Sequence, residues 1–331
     1  MSAARKHVFG PVPSRRLGRS LGVDLVPFKT CSSDCIYCQL GRTTRKTSER
    51  REWLPMDAVL EELKPALAAK PEYITLSGSG EPTLHSRLGE IIERIKTLTD
   101  IPVAVLTNGS LLWQAEVRAE VELADVVMPS LDAPDPERYE FINRPYPDLT
   151  FERLIYGLEA FRRQFTGKYW LEVMLLGGYT SLPAQVRHLA ALTRRIRPDK
   201  VQLNTAVRPP AEEYAMAVPP ERLAELAQYF KPRAEVIAEH RGRGATPERQ
   251  PSQQAILGLL QRRPCTVEDL VRGLGMKPAE LLKTLDELNA QGRVQSERHG
   301  TWQFYRAATT GPATRPGRGG VRRAACKTSS P

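Results

Sequence analysis

GVDLVPFKTCSSDCIYC, from Gly22 to Cys38, reads as a short apolar strand running into a loop that carries three of the chain's five cysteines. Parallel βα folds set their chemistry at the carboxyl ends of strands. A thiol-rich loop directly after a strand is therefore the first sign of both fold and site. Cys31, Cys35 and Cys38 are spaced C-x3-C-x2-C. Four thiolates would close a structural metal site, whereas three leave a position open. No fourth Cys or His lies nearby in sequence, and His7 and His85 could approach only through folding.

The same alternation continues outward. Apolar runs at Tyr73–Leu76, Pro102–Leu106, Asp125–Met128, Lys168–Leu176 and Lys200–Asn204 read as strands. Helical periodicity fills the gaps at Pro55–Ala69, Leu88–Leu98, Leu112–Leu123, Glu152–Phe165, Pro183–Arg195 and Glu221–Phe230. Pro65 conflicts with an unbroken helix and is a candidate kink. Six consecutive βα units give a parallel sheet. They are too few for a closed eight-stranded barrel. The expected fold class is α/β, a partial (βα)6 TIM-like barrel. Polar segments fall at its strand ends: SGSGEP, TNG, PSLDAPD and a break after Asn204.

The pattern breaks near RGRGATPE. Three helices follow, at 252–261, 266–274 and 278–291, and then a hairpin whose turn contains Gly300. This order resembles the winged helix-turn-helix domain. The expected organisation is a barrel at 1–240, a linker at 241–250, a winged domain at 251–308 and a disordered basic tail at 309–331. That tail holds Arg315, Arg318, Arg322, Arg323 and Lys327 and no acid, half of a net charge of +10. The large domain is nearly balanced. No apolar run reaches the roughly 18 residues a membrane helix needs. The opening residues show no signal-peptide core. A cytoplasmic protein without membrane association is expected, with thiols kept free for metal.

Thiolates hold iron–sulfur clusters. Cys31–Cys38, with Tyr37 just before the last cysteine, resembles the signature of the radical S-adenosylmethionine (radical SAM) superfamily. Gly78-Ser79-Gly80-Glu81-Pro82 resembles that superfamily's glycine-rich turn after the second strand, with Ser79 in place of a glycine. The resemblance implies one [4Fe–4S] cluster on Cys31, Cys35 and Cys38, with S-adenosylmethionine bound at the open iron. Gly78, Gly80 and Glu81 would meet its ammonium, and Ser130 and Asp132 its ribose. Tyr37 would pack near the adenine or the cluster, or in the core. Asn108, Glu172 and Asn204 lie at or near strand ends facing the same mouth; Asn108 could equally make only a turn, and Asp132 a helix cap. The implied reaction is reductive cleavage to a 5′-deoxyadenosyl radical that abstracts hydrogen. A reducing partner such as flavodoxin or ferredoxin is implied with it.

FGPVPSRRLGRSLGVDLVPFKTC, SLDAPD, FINRP (Phe141–Pro145) and VQLNTAVRPP resemble the tRNA wyosine-forming enzymes (4-demethylwyosine synthases). This implies tRNA or RNA as substrate. Those enzymes carry further cysteines for a second cluster, and this chain has none before Cys31. Arg15, Arg16 and Arg19 are candidates for phosphate contacts or for ordinary salt bridges; Arg208, after Asn204, is a candidate for the same mouth or a surface arginine. The winged unit could bind nucleic acid or protein. A cluster-containing DNA-binding regulator, or radical modification of a peptide, is the alternative. The third helix, with Glu280, Asp286 and Glu287 beside Lys283, is a poor face for phosphate; Arg293, Arg298, His299 and Arg306 on the wing are better.

Overall fold

A computed structural model describes residues 6–237 and 253–308; the expected linker at 241–250, the tail at 309–331 and Cys326 lie outside them. The strands are β1 (Val8–Ser14), β2 (Gly18–Val23), β3 (Thr30–Cys31), β4 (Arg45–Lys46), β5 (Tyr73–Leu76), β6 (Val103–Thr107), β7 (Val126–Pro129), β8 (Lys168–Met174), β9 (Lys200–Asn204) and β10 (Glu235–Val236). The main sheet runs β1-β2-β5-β6-β7-β8-β9-β10. Every neighbour from β2 to β10 is parallel; β1 alone is antiparallel, to β2. Crossover helices are α1 (Met56–Ala66), α2 (Leu88–Leu98), α3 (Ala115–Val121), α4 (Pro136–Asn143), α5 (Phe151–Gln164), α6 (Pro183–Ile196) and α7 (Pro220–Leu226). The α/β partial barrel expected from the alternation is present.

Strand side chains alternate between two environments. Leu21, Val23, Ile74, Leu76, Val103, Val105, Leu171 and Val173 point outward and are buried against the helices. α2 answers with Leu88, Ile91, Ile92 and Ile95 at helical spacing. The opposite residues line the barrel. There Ser20 and Thr75 share a hydrogen bond, and Leu17, Ala104, Val126 and Met128 form a small apolar cluster. Polar and small side chains inside leave a cavity of about 350 Å³.

α4 and the short parallel strand β10 were not expected from the sequence, and three further details differ from its reading. β1 was not expected, because Pro11 and Pro13 argue against a strand; it is a bulged edge strand, where a missing N–H is tolerated. The first parallel strand is Gly18–Val23 rather than Gly22–Val26, its register set by pairing with β1 and β5. Pro65 falls in the last turn of α1, which tightens into a 3-10 turn at Leu67–Ala69, so it closes the helix instead of kinking its middle.

The second unit is α8 (Gln253–Leu260), α9 (Val267–Leu274), α10 (Pro278–Ala290) and the hairpin β11 (Val294–His299) with β12 (Trp302–Ala307). Thr266 and Asp269 form a reciprocal capping box on α9. Ile256, Leu270, Leu281, Leu285 and Leu288 are the centre of a separate core.

Candidate active site

The loop after β2 is fixed from several sides. Thr30–Cys31 pairs in parallel with Arg45–Lys46. Asp34 accepts from Thr43 N (2.7 Å) and Arg42 Nε (2.8 Å). The FINRP run at the end of α4 is its other wall: Asp34 N donates to Asn143 O (3.0 Å), Ile36 N to Ile142 O (2.9 Å) and Tyr146 N to Ser32 O (2.8 Å). Ile36 anchors the loop, buried with Ile142, Leu176, Ala206 and Ala215.

Side-chain amides address two of the sulfurs. Asn108 Nδ2 lies 3.7 Å from Cys31 Sγ and Asn143 Nδ2 3.6 Å from Cys35 Sγ. Burial pushes all three thiols up, Cys31 to about 12. For Cys31 the carboxylate of Glu81 adds to the effect. Burial disfavours the charged thiolate, and a cationic group at this loop would offset that penalty. Among the described residues no three His, Cys, Asp or Glu side chains converge closely enough for a single metal ion. In an iron–sulfur cluster each thiolate meets a different iron, so its ligands stand farther apart. Amide donors aimed at sulfur suit such a cluster.

The glycine-rich turn touches this loop. A Cβ on Gly80 would fall 1.7 Å from Thr30 O, so only glycine lets the turn cross the strand that leads to Cys31. Gly78 has φ +123°, and a Cβ there would lie 2.3 Å from Asp24 Oδ1. We expect Gly80→Ala to stay folded yet lose most of its reconstituted iron, measured per chain after gel filtration.

Glu81 is buried and its oxygens are used within the protein. Oε1 accepts from Thr83 N (3.1 Å), Thr83 Oγ1 (2.6 Å) and Thr107 Oγ1 (2.6 Å), and Oε2 from Asn108 N (2.7 Å). It ties the turn after β5 to TNG after β6. Asn108 passes the connection on, donating to Ser32 Oγ (2.8 Å). Asp132 is likewise a hub: it accepts from Tyr37 Oη, Asn143 Nδ2 (3.1 Å) and Met174 N (3.0 Å). It caps no helix; Asp135 caps α4. Burial raises the Asp132 carboxyl to about 6.

Glu172 and Asn204 meet across β8 and β9, Asn204 Nδ2 donating to Glu172 Oε1 (2.9 Å). Arg16 pairs with Glu172, and Arg15 Nη1 donates to Asn204 Oδ1 (3.4 Å). Tyr37, Cys38, Gly78, Glu172 and Asn204 line the cavity. Gly80, Glu81, Asn108, Ser130 and Asp132 are not among the residues that line it; Ser130 meets Glu172 through a backbone bridge. Sequence reasoning missed Asn143. The FINRP run was singled out, but only the fold shows that it faces the cysteine loop.

Thiol loop, glycine turn and parallel half-barrel together define the class. The chain belongs to the radical SAM superfamily, whose family model matches residues 25–190. Its cofactors are a [4Fe–4S] cluster and S-adenosylmethionine. The DprA winged helix domain matches residues 243–299. More particularly, the chain is 42% identical over 203 residues to a UPF0026 protein of Synechocystis, covering 61% of this chain and 76% of that one. It is 38% identical over 299 residues to a protein of Brachyspira hyodysenteriae named GTPase Obg, covering 88% of this chain. The chain spans only 44% of that relative's length, and it contains no G-x-x-x-x-G-K-[ST] phosphate loop. Its structure resembles a radical SAM methyltransferase from Sphaerobacter thermophilus, with TM-score 0.48 and 20% identity over 66% of this chain and 65% of that one. No helix among the described residues is long and apolar enough to cross a membrane.

Proposed function

We propose that Cys31, Cys35 and Cys38 hold the cluster and that the chain cleaves S-adenosylmethionine to abstract hydrogen from a substrate admitted to the barrel. When bound, the cluster and S-adenosylmethionine supply one-electron cleavage of the sulfonium and a primary radical that removes a hydrogen atom. The protein's own part is placement and exclusion of water. Asn108 and Asn143 orient two of the sulfurs. Glu81 and Asp132 brace the loops around them. Gly78 brings backbone to the wall of the cavity that Cys38 also lines, where a ligand could approach it closely. The observation that carries this reading is the amide-addressed thiol loop, whose Tyr37 and Cys38 line the barrel cavity.

RNA, the substrate suggested by the likeness to the wyosine-forming enzymes, would enter this cavity only as a single extruded nucleotide. The regulator reading has less support. The outer face of α10 exposes Glu280, Asp286, Glu287 and Asn289 beside Lys283, and acids repel a phosphate backbone. The test is anaerobic. Reconstituted protein should hold about four irons per chain and release 5′-deoxyadenosine when given dithionite and S-adenosylmethionine. Zinc retained in place of iron overturns the proposal.

A further inference from the structure

Asn143 ends α4, and its side chain has no local task. Its backbone carbonyl accepts from Asp34 N at 3.0 Å, a contact that any residue at this position keeps. The residue is buried, and its Nδ2 has two acceptors, one for each amide hydrogen: Asp132 Oδ2 at 3.1 Å and Cys35 Sγ at 3.6 Å. Oδ1 is buried and has no hydrogen-bond partner among the described residues. Turning the amide over would set Oδ1 against a carboxylate and a sulfur at once. Asp132 therefore holds the donor end on Cys35, and is itself kept in place by Tyr37 Oη and Met174 N.

Asn108 is arranged differently. Its Nδ2 also approaches a cysteine, Cys31 at 3.7 Å, but lies nearer Ser32 Oγ at 2.8 Å, and its Oδ1 accepts from Ser110 N at 3.0 Å. Both ends of that side chain shape the turn after β6. Asn143 keeps its donor engaged and leaves its acceptor bare, and a bare buried acceptor costs stability. The fold loses at this amide, and the sulfur gains a donor.

A hydrogen bond to a sulfur that ligates a cluster favours the reduced state, which carries one more negative charge, and so raises the reduction potential. A buried setting strengthens the bond. We propose that Asn143 is a positioning residue that sets the potential of the cluster, making it easier to reduce through its amide on Cys35. The proposal rests on the reading of Cys35 as a cluster ligand.

The test is a redox titration of the reconstituted full-length protein, followed by EPR of the reduced cluster, without S-adenosylmethionine. Asn143→Leu keeps the shape of the side chain and removes the donor. It should hold as much iron and sulfide as the wild type. Its reduction equilibrium should shift about tenfold towards the oxidised state, a potential about 59 mV lower for one electron. Asn143→Ser is polar and too short to reach the sulfur, and should give the same shift; it covers the case in which leucine disturbs the contacts of Asp132. An unchanged potential in a fully loaded variant overturns the proposal. Failure of both variants to hold a cluster overturns it equally, because Asn143 would then be a structural support. Wild-type protein that takes up no cluster would instead sink the radical SAM reading, so the two failures are told apart.

Discussion

Cys35→Ala is expected to reduce reconstituted iron from about four per chain to about one or fewer and 5′-deoxyadenosine to background. Cys35 sits between the other two thiols on a loop whose backbone is tied to Asn143 and Ile142. Loss of its thiolate leaves two ligands for a cluster that needs three from the protein. The amide of Asn143, now 3.6 Å from Cys35 Sγ, would face a methyl group. The fold should persist, because the loop is held by Asp34, Ile36 and Tyr146 rather than by the thiols. Cys265→Ala is the matched control. That thiol is buried in the winged domain and donates to Arg263 O at 3.6 Å, and its loss should leave iron and product unchanged. The checks are iron and sulfide counts, visible absorbance and product chromatography on the same samples. Iron retained by Cys35→Ala would remove this cysteine from the ligand set.

The half-barrel was legible because its strands are apolar runs and its helices amphipathic, so two periodicities marked alternating elements. β1 was not legible, because Pro11 and Pro13 carry the opposite local signal and only an edge position accommodates them. The thiol loop was legible from spacing alone. The roles of Glu81 and Asp132 were less so. Position at a strand end suggests a ligand contact, and the same position lets a carboxylate bind neighbouring loops; the hydrogen bonds of both side chains are made within the protein. Arg262 and Arg263 were unreadable as site residues. They belong to a second domain, and only its packing on β1 carries them to the cavity.

Arg262 also gives the largest expected effect on stability. It is 6% exposed and Asp24 3%. Its Nε donates to Asp24 Oδ2 at 3.2 Å and its Nη1 to Gly258 O at 2.8 Å. Its Nη2 donates to Lys6 O, and its guanidinium stacks 4.2 Å over the Phe9 ring. Arg262→Ala strips this cation from a buried carboxylate, and breaking a buried pair from one side costs about 3–5 kcal/mol. For a unit of this size that lowers the melting temperature by about 10 °C. Arg262→Met with Asp24→Asn removes both charges and keeps the packed volume, so it should recover most of the loss, since replacing both partners is often nearly neutral. The site should register the same change. Asp24 Oδ1 packs where Gly78 has no Cβ, so an Asp24 released from Arg262 loosens the turn beside the cavity. Arg262→Ala should therefore slow 5′-deoxyadenosine release as well as melt earlier. A melting shift within about 1 °C, the size expected of a solvent-screened pair, would mean that the winged domain is not held to the barrel at this point.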